Sequence, residues 1–305
     1  MQNKIWGNED TFQTIQEVNT NMQDPSKPIW INPNPKATPE QKNTNLPRIF
    51  LATPVHSECS IHYTQSLLKF QQECLMKNIL VSFSLLKSSL VTQGRNLCVN
   101  AFLEDGDKYT HLLFIDSDID FTYQSVMKMI EANVDVIACT YPLKTIDWVK
   151  MNSRIKRKGN MEPDILSKQG FTWPVKIENK SHIVVKNGVA EVSHAPTGCM
   201  LIKKQVFDKM IEAYPEKKIS QPTIINGKLE DKEFFYNFFD TYHEPETKKY
   251  YGEDFGFCKR WTEIGGKCHI LVDEYIAHVG EYRYEGRIMD DLEFKNDIDE
   301  LVKIT

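Results

Sequence analysis

From Arg48 onward the apolar positions fall into short continuous runs separated by amphipathic stretches. Strands are predicted at Arg48–Val55, Ile79–Leu86, His111–Asp116, Val134–Tyr141 and Cys268–Asp273. Several of these runs are unbroken, which is the pattern of strands covered on both faces. Helical spacing lies between them. Leu67 and Leu68 return seven positions later as Cys74 and Leu75. Cys98, Ala101 and Phe102 follow i, i+3, i+4, and so do Val126, Met129 and Ile130. Strand and helix alternate, which predicts an α/β fold with a mostly parallel sheet flanked by helices.

After Tyr141 the rhythm changes. Residues 144–180 are polar and basic, with Arg-Ile-Lys-Arg-Lys at 154–158, and read as a long loop or flap. Asn187-Gly188, set between alternating apolar residues of Ile183–Val192, predicts a hairpin. Met200–Ile202 reads as a short strand, and Val206, Phe207, Met210 and Ile211 as one helix face. Lys217–Lys249 reads as an aromatic-rich loop. A helix is expected from about Glu253 to Ile264, and an amphipathic C-terminal helix carries Phe294, Ile298, Leu301 and Val302. The start differs from all of this. Seven of the 14 prolines fall at or before Pro54, so residues 1–46 read as an extended arm. No internal repeat interrupts the remainder.

Composition narrows the class. The chain has 305 residues, 41% hydrophobic and 26% charged, which places it among globular proteins. Thirty-seven basic against 42 acidic residues give a net charge of -5, which argues against a whole-surface nucleic-acid binder. No apolar run approaches the roughly 18 residues of a membrane span. Met1 to Thr20 has neither an apolar core nor a basic start, so no secretory leader is expected. The seven cysteines include no Cys-x-x-Cys pair and read as reduced core thiols of a cytoplasmic protein.

Five segments carry candidate chemistry. In His111-Leu-Leu-Phe-Ile-Asp-Ser-Asp-Ile-Asp-Phe121 an apolar strand runs into three alternating carboxylates, Asp116, Asp118 and Asp120. Ligands of open α/β sheets bind outside the carboxyl ends of strands. Carboxylates gathered there repel one another unless a cation joins them, and a hard divalent ion is the natural partner. One of the three serving as a helix cap is the plain alternative. Gly94-Arg95-Asn96 opens a helical stretch and offers a guanidinium for phosphate, against the default of a surface Arg. Glu253 and Asp254 open another helix. The helix dipole favours acids there, and adjacent carboxylates also suit a general base. His278, beside Gly280, is either a metal ligand or structural. Thr197-Gly198 is either a close-approach turn or a plain strand entry.

Taken in order, these segments resemble a GT-A-fold glycosyltransferase, over about Arg48 to Gly280. Thr53-Pro54 on the opening strand is followed by Arg95-Asn96. Then come the DxD motif Asp116-Ser117-Asp118, the Thr-Gly entry, Glu253-Asp254 and His278. The pattern is similar to the inverting family-2 enzymes and the Anp1-type mannosyltransferases. The resemblance implies a nucleoside-diphosphate sugar as donor and Mn²⁺ or Mg²⁺ as cofactor. Thr53, Pro54, Val55 and His56 would hold base and ribose, with Arg95 and Asp116-Ser117 beside the nucleotide. Asp118 and His278 would hold the metal, and Thr197-Gly198 would line the donor sugar. Asp254 would deprotonate an acceptor hydroxyl, supported by Glu253. The acceptor would be a glycan or another hydroxyl compound, and the acidic total argues against a nucleic acid. Asp120 extends the motif to DxDxD, which leaves open which of Asp116, Asp118 and Asp120 hold the metal. The implied layout is one domain over 47–305: a nucleotide-binding half at 47–143, an acceptor half at 144–282 that includes the basic flap, and a C-terminal helix at 283–305.

The rival readings are a retaining enzyme on the same fold, a metal-dependent nucleotidyltransferase and a non-catalytic binding module. The second would favour a Gly-rich phosphate loop after the first strand, where Ala-Thr-Pro-Val-His-Ser-Glu has no glycine. The third predicts that Asp118→Ala is tolerated.

Overall fold

A computed structural model describes residues 46–159, 162–166, 168–177, 183–225, 228–294 and 301–304. All but the last residue of the expected N-terminal arm lies outside them. In the first half the elements are β1 (Arg48–Val55), α1 (Ile61–Met76), β2 (Leu80–Lys87), α2 (Val91–Glu104), β3 (His111–Ile115), β4 (Ile119–Asp120), α3 (Tyr123–Glu131) and β5 (Val136–Cys139). Local chemistry sets the helix starts. The Ser60 hydroxyl accepts the Tyr63 N–H and begins α1, while Thr122 and Ser125 form a reciprocal capping box on α3.

The second half runs α4 (Trp148–Lys158), α5 (Pro163–Leu166), β6 (Ile183–Lys186), β7 (Val189–Val192), β8 (Cys199–Lys203) and α6 (Lys204–Ala213). It continues through β9 (Lys218–Ile225), β10 (Lys228–Tyr236), β11 (Tyr242–Glu244), β12 (Lys249–Tyr251), α7 (Glu253–Glu263), β13 (Cys268–Leu271) and β14 (Ile276–Val279). It closes with β15 (Arg283–Gly286), β16 (Leu292–Phe294) and β17 (Leu301–Ile304).

The main sheet has the order β16-β17-β6-β7-β13-β5-β8-β3-β1-β2. Strands β2, β1 and β3 are parallel, as are β5 and β13. β8 is inserted antiparallel between β3 and β5, so all five of those strands run the same way. Successive residues of β1 serve opposite faces. Ile49 and Leu51 pack with Tyr63, Phe70, Val126 and Met129 under α1 and α3. Phe50 and Ala52 pack with Phe102, Phe207 and Phe257 under α2, α6 and α7. A strand buried on both sides needs this unbroken apolar run, which explains why the sequence shows no alternation there. The fold is mixed α/β and Rossmann-like, with smaller antiparallel sheets β9–β10, β11–β12 and β15–β14–β4 beside it.

Several expectations hold and others need correction. The Asn187-Gly188 turn joins β6 and β7, with φ of 52° and 74° at the two residues, as a two-residue hairpin of this twist requires. α1 buries Tyr63, Ser66, Phe70 and Cys74, and leaves Leu68 exposed. The large aromatic rings take the core and the Leu67-Leu68 pair moves to the rim. Residues 144–180 are not a plain loop, since they include α4 and α5. Asp147 caps α4, and the Lys150 and Arg154 side chains reach Asp291 at 2.9 and 2.5 Å. The anchor of α4 is ionic, so it leaves no apolar period to read. Lys217–Lys249 contains a two-stranded arm, β9–β10, and the hairpin strand β11. In place of the expected C-terminal helix the described residues form strands, and β17 pairs with the edge of β6 and so covers its open backbone groups; Ile298 of that expected helix lies outside the described residues. All seven cysteines are free and six are buried. Among the described residues no helix is long and apolar enough to cross a membrane.

Candidate functional site

The carboxyl ends of β1, β3 and β5 meet at one rim of the sheet. Because β8 runs the other way, its first residues enter at that rim. The N-terminus of α7 and the strand β14 complete it. Backbone bonds fix the assembly: Asp116 N–H donates to Gly198 O at 2.9 Å, and Val279 N–H donates to Asp118 O at 2.8 Å. His278 pairs with Ile119 in the β14–β4 ladder, which sets it beside Asp118.

Each carboxylate of the acidic run faces a different basic residue. Arg95, only 3% exposed, forks onto both oxygens of Asp116 at 2.9 and 3.0 Å. Its Nε donates to Glu253 at 3.2 Å, and its guanidinium lies 5.3 Å from the centre of the Phe114 ring. Asp120 accepts from Ser66 Oγ at 2.6 Å and from Arg283 Nη2 at 2.7 Å. Asp118 accepts from Lys144 Nζ at 2.5 Å, and His278 Nε2 lies 3.5 Å from the same oxygen. Burial pushes the Asp118 carboxyl up, but hydrogen bonds and charge from His278 and Lys144 outweigh it and hold the group below the ordinary carboxylate range. The Nδ1 of His278 is 3.1 Å from Pro142 O. One ring nitrogen thus meets a carbonyl and the other, Nε2, meets Asp118.

Asp254 differs from its neighbours. Burial, then the charge of Glu253 beside it, raise its carboxyl to about 6. The Phe255 N–H at 2.7 Å and Arg95 pull the other way without cancelling the rise. One chain of contacts therefore runs from Asp116 through Arg95 to Glu253 and its neighbour Asp254. Tyr141 stands within it. The Gly198 N–H donates to its hydroxyl at 3.0 Å, and its ring meets the His278 ring edge-on at 5.1 Å. Burial, Asp116 and Asp254 all push the Tyr141 hydroxyl far above its usual range.

The remaining positions fall into place around this centre. Thr53 is buried, with its hydroxyl 2.7 Å from the Tyr63 hydroxyl. Pro54 and Val55 are half-buried, and His56 is exposed. Pro54 sits under Gly94, where an added Cβ would come within 3.2 Å of the proline ring. Ser117 O accepts the Ser60 N–H at 2.8 Å. Thr197 and Gly198 are buried beneath Tyr141. Sequence reasoning missed Tyr141, Lys144, Arg283 and Ser66 as members of the site. The rule that ligands gather at carboxyl ends of strands applies to Tyr141, which follows β5. Nothing local marks the other three. Phe235, Phe238 and Phe239 are core residues, and Trp173 donates its Nε1–H to Asp291. Trp148 is exposed.

Among the described residues no group of three or more His, Cys, Asp or Glu converges as a metal site. Asp118 and His278 do converge as a pair. Oxygen and nitrogen donors 3.5 Å apart, with the other ring nitrogen 3.1 Å from a carbonyl, suit two adjacent positions of a divalent ion. A diphosphate would have to supply the rest of the shell.

No family model matches the chain, and no curated protein matches it. Among solved structures, it is similar to A197 from STIV, with 16% identity over 85% of this chain and 94% of that one and a TM-score of 0.41. It is also similar to a glycosyltransferase involved in the glycosylation of the major capsid of PBCV-1. There the identity is 11% over 56% of this chain and 68% of that one, with a TM-score of 0.28. A distant structural neighbour is thus a glycosyltransferase, but likenesses this weak carry no function across. The functional reading rests on the site itself.

Proposed function

We propose that the chain is a glycosyltransferase that moves a sugar from a nucleoside-diphosphate sugar to an acceptor hydroxyl, with inversion. The observation that carries this reading is the pairing, on one rim, of a ligand pair with a carboxyl tuned for proton transfer. Asp118 and His278 face each other at 3.5 Å, and Asp254 is raised to about 6 at the start of α7. A general base works best with a pKa near the operating pH, and Asp254, raised to about 6, meets that condition.

Asp118 and His278 would hold a divalent ion, Mn²⁺ or Mg²⁺, which when bound supplies Lewis-acid stabilisation of the charge on the departing diphosphate. Asp116 is held at both oxygens by the buried Arg95, and Asp120 by Arg283 and Ser66, whereas Asp118 faces His278 and the half-exposed Lys144, so Asp118 is the member of the run assigned to the metal. Asp254 Oδ takes the acceptor's hydroxyl proton as that oxygen attacks the anomeric carbon from the side opposite the phosphate. Arg95 fixes Glu253 and moderates the rise at Asp254, which keeps the base ionised above about pH 6. The end of β1, Pro54 to His56, would receive base and ribose, with Thr53 buried behind it against Tyr63, and Thr197-Gly198 would back the donor sugar from beneath Tyr141.

The test is calorimetric titration with UDP, GDP, CDP and dTDP, with and without Mn²⁺, on wild type and Asp118→Ala. Binding of one nucleotide that requires both the metal and Asp118 supports the proposal. Absence of binding to all four under both conditions refutes it and leaves the binding-module reading.

A further inference from the structure

Asp118 already has a cation of its own. The Lys144 ammonium rests 2.5 Å from Oδ2, the same oxygen that faces His278 Nε2. Among the described residues Asp118 is the only acidic partner of Lys144. The lysine is not placed there by chance of exposure. Its stem lies across Gly280, where an added Cβ would come within 3.1 Å of Cδ and 3.5 Å of Cε. Its backbone is pinned on both sides, by the Leu143 N–H to Thr172 O at 2.8 Å and the Thr145 N–H to Leu143 O at 2.7 Å. The side chain is 36% exposed, so its head group can leave for solvent without disturbing the core.

A divalent ion between Asp118 and His278 needs Oδ2 at about 2.0–2.2 Å. An ammonium bonded to that oxygen would then sit within a few ångströms of a doubly charged ion, in a half-buried site where like charges repel strongly. The two cations cannot share the oxygen. We infer that Lys144 is a tethered occupant of the divalent-cation position: it neutralises Asp118 while the site is empty and is expelled when metal binds. The inference rests on the reading above that Asp118 and His278 take a divalent ion. It explains how three carboxylates stay together, since each has a built-in counter-ion.

The full chain is titrated with MnCl₂ alone by isothermal calorimetry at fixed pH and salt. The set is wild type, Lys144→Met, Gly280→Ala and Asp118→Ala, each confirmed folded by thermal unfolding. Lys144→Met removes the competitor and is expected to bind Mn²⁺ at least threefold tighter than wild type. Gly280→Ala pushes the lysine stem off its shelf and is expected to shift affinity in the same direction. Asp118→Ala abolishes binding. Equal or weaker binding by both Lys144→Met and Gly280→Ala, with wild-type binding intact and lost in Asp118→Ala, overturns the inference and leaves the metal reading standing. No Mn²⁺ binding by wild type or Lys144→Met overturns the metal reading and the inference with it.

Discussion

Arg95→Met removes the charge that ties Asp116 to Glu253 and keeps most of the apolar stem. The two carboxylates are 28% and 16% exposed, so neither is fully hydrated once its partner is gone. Deleting one member of a buried ion pair typically costs about 3–5 kcal/mol, because the survivors are left desolvated and unpaired. Partial access of water to Asp116 places the expected loss near the lower end, about 3 kcal/mol. For a domain of this size that corresponds to a fall in Tm of roughly 6–12 °C. Arg283→Met is the matched control. It breaks the same kind of pair in the same acidic run, but Arg283 is 38% and Asp120 23% exposed, and exposed pairs contribute about 1 kcal/mol or less. Urea and thermal unfolding of the two variants under one set of conditions decide the matter. A large loss for Arg95→Met with a small one for Arg283→Met is expected. Equal losses would refute the assignment of Arg95 as the buried centre of the site.

Other consequences can be measured directly. The carboxyl of Asp254 is raised from 3.8 to about 6, so the folded state holds this proton more tightly than the unfolded chain and the ionised group destabilises the fold above about pH 6. Asp254→Asn should therefore abolish transfer yet gain about 1–3 kcal/mol at pH 7, a gain that shrinks as pH falls from about 6 toward the ordinary carboxylate range; a pH-independent difference in urea midpoint would contradict this. Gly198→Ala places a Cβ 2.3 Å from the Tyr141 hydroxyl oxygen and 2.6 Å from its Cζ, and is expected to cost about 1–3 kcal/mol. Adding Tyr141→Phe removes the first clash and should restore part of that loss in a double-mutant cycle. Asp291→Ala removes the carboxylate that Lys150 and Arg154 share, and brief trypsin treatment should then cut within α4, which stays resistant in wild type.

The fold was more legible than the site, for physical reasons. Core strands such as β1 announce themselves because burial on both faces demands an apolar run, and Asn187-Gly188 announces its turn because few residues adopt two successive positive φ values. Elements held by partners distant in sequence gave no such signal. α4 is anchored through charges on Asp291, β17 exists because β6 offers an edge, and β9 carries Pro222 within its span. In the site, the acidic run and the Glu253-Asp254 pair stood out as clusters of charge. Which acid was free for a ligand did not, because the answer lies in Arg95, Lys144 and Arg283, which the chain supplies from separate places. Asp118 and Lys144 are 26 residues apart, and Asp120 and Arg283 are 163 apart.

The tie from Arg95 to Glu253 spans 158 residues, and β8 joins β3 only after the long excursion that contains α4 and the β6–β7 hairpin. Loop closure of that length is entropically expensive, and chains dominated by such contacts fold on millisecond to second timescales. The parallel β1–β2–β3 unit closes over shorter loops and is expected to order first. The charged rim would then assemble after the rate-limiting step. Lesions at Arg95 or Gly198 should therefore leave the refolding rate nearly unchanged and appear as faster unfolding. A chain still emerging from the ribosome has neither α7, which supplies Glu253 and Asp254, nor β14, which pairs with β4 and sets His278 beside Asp118, so the rim is complete only once the last third of the protein has been made.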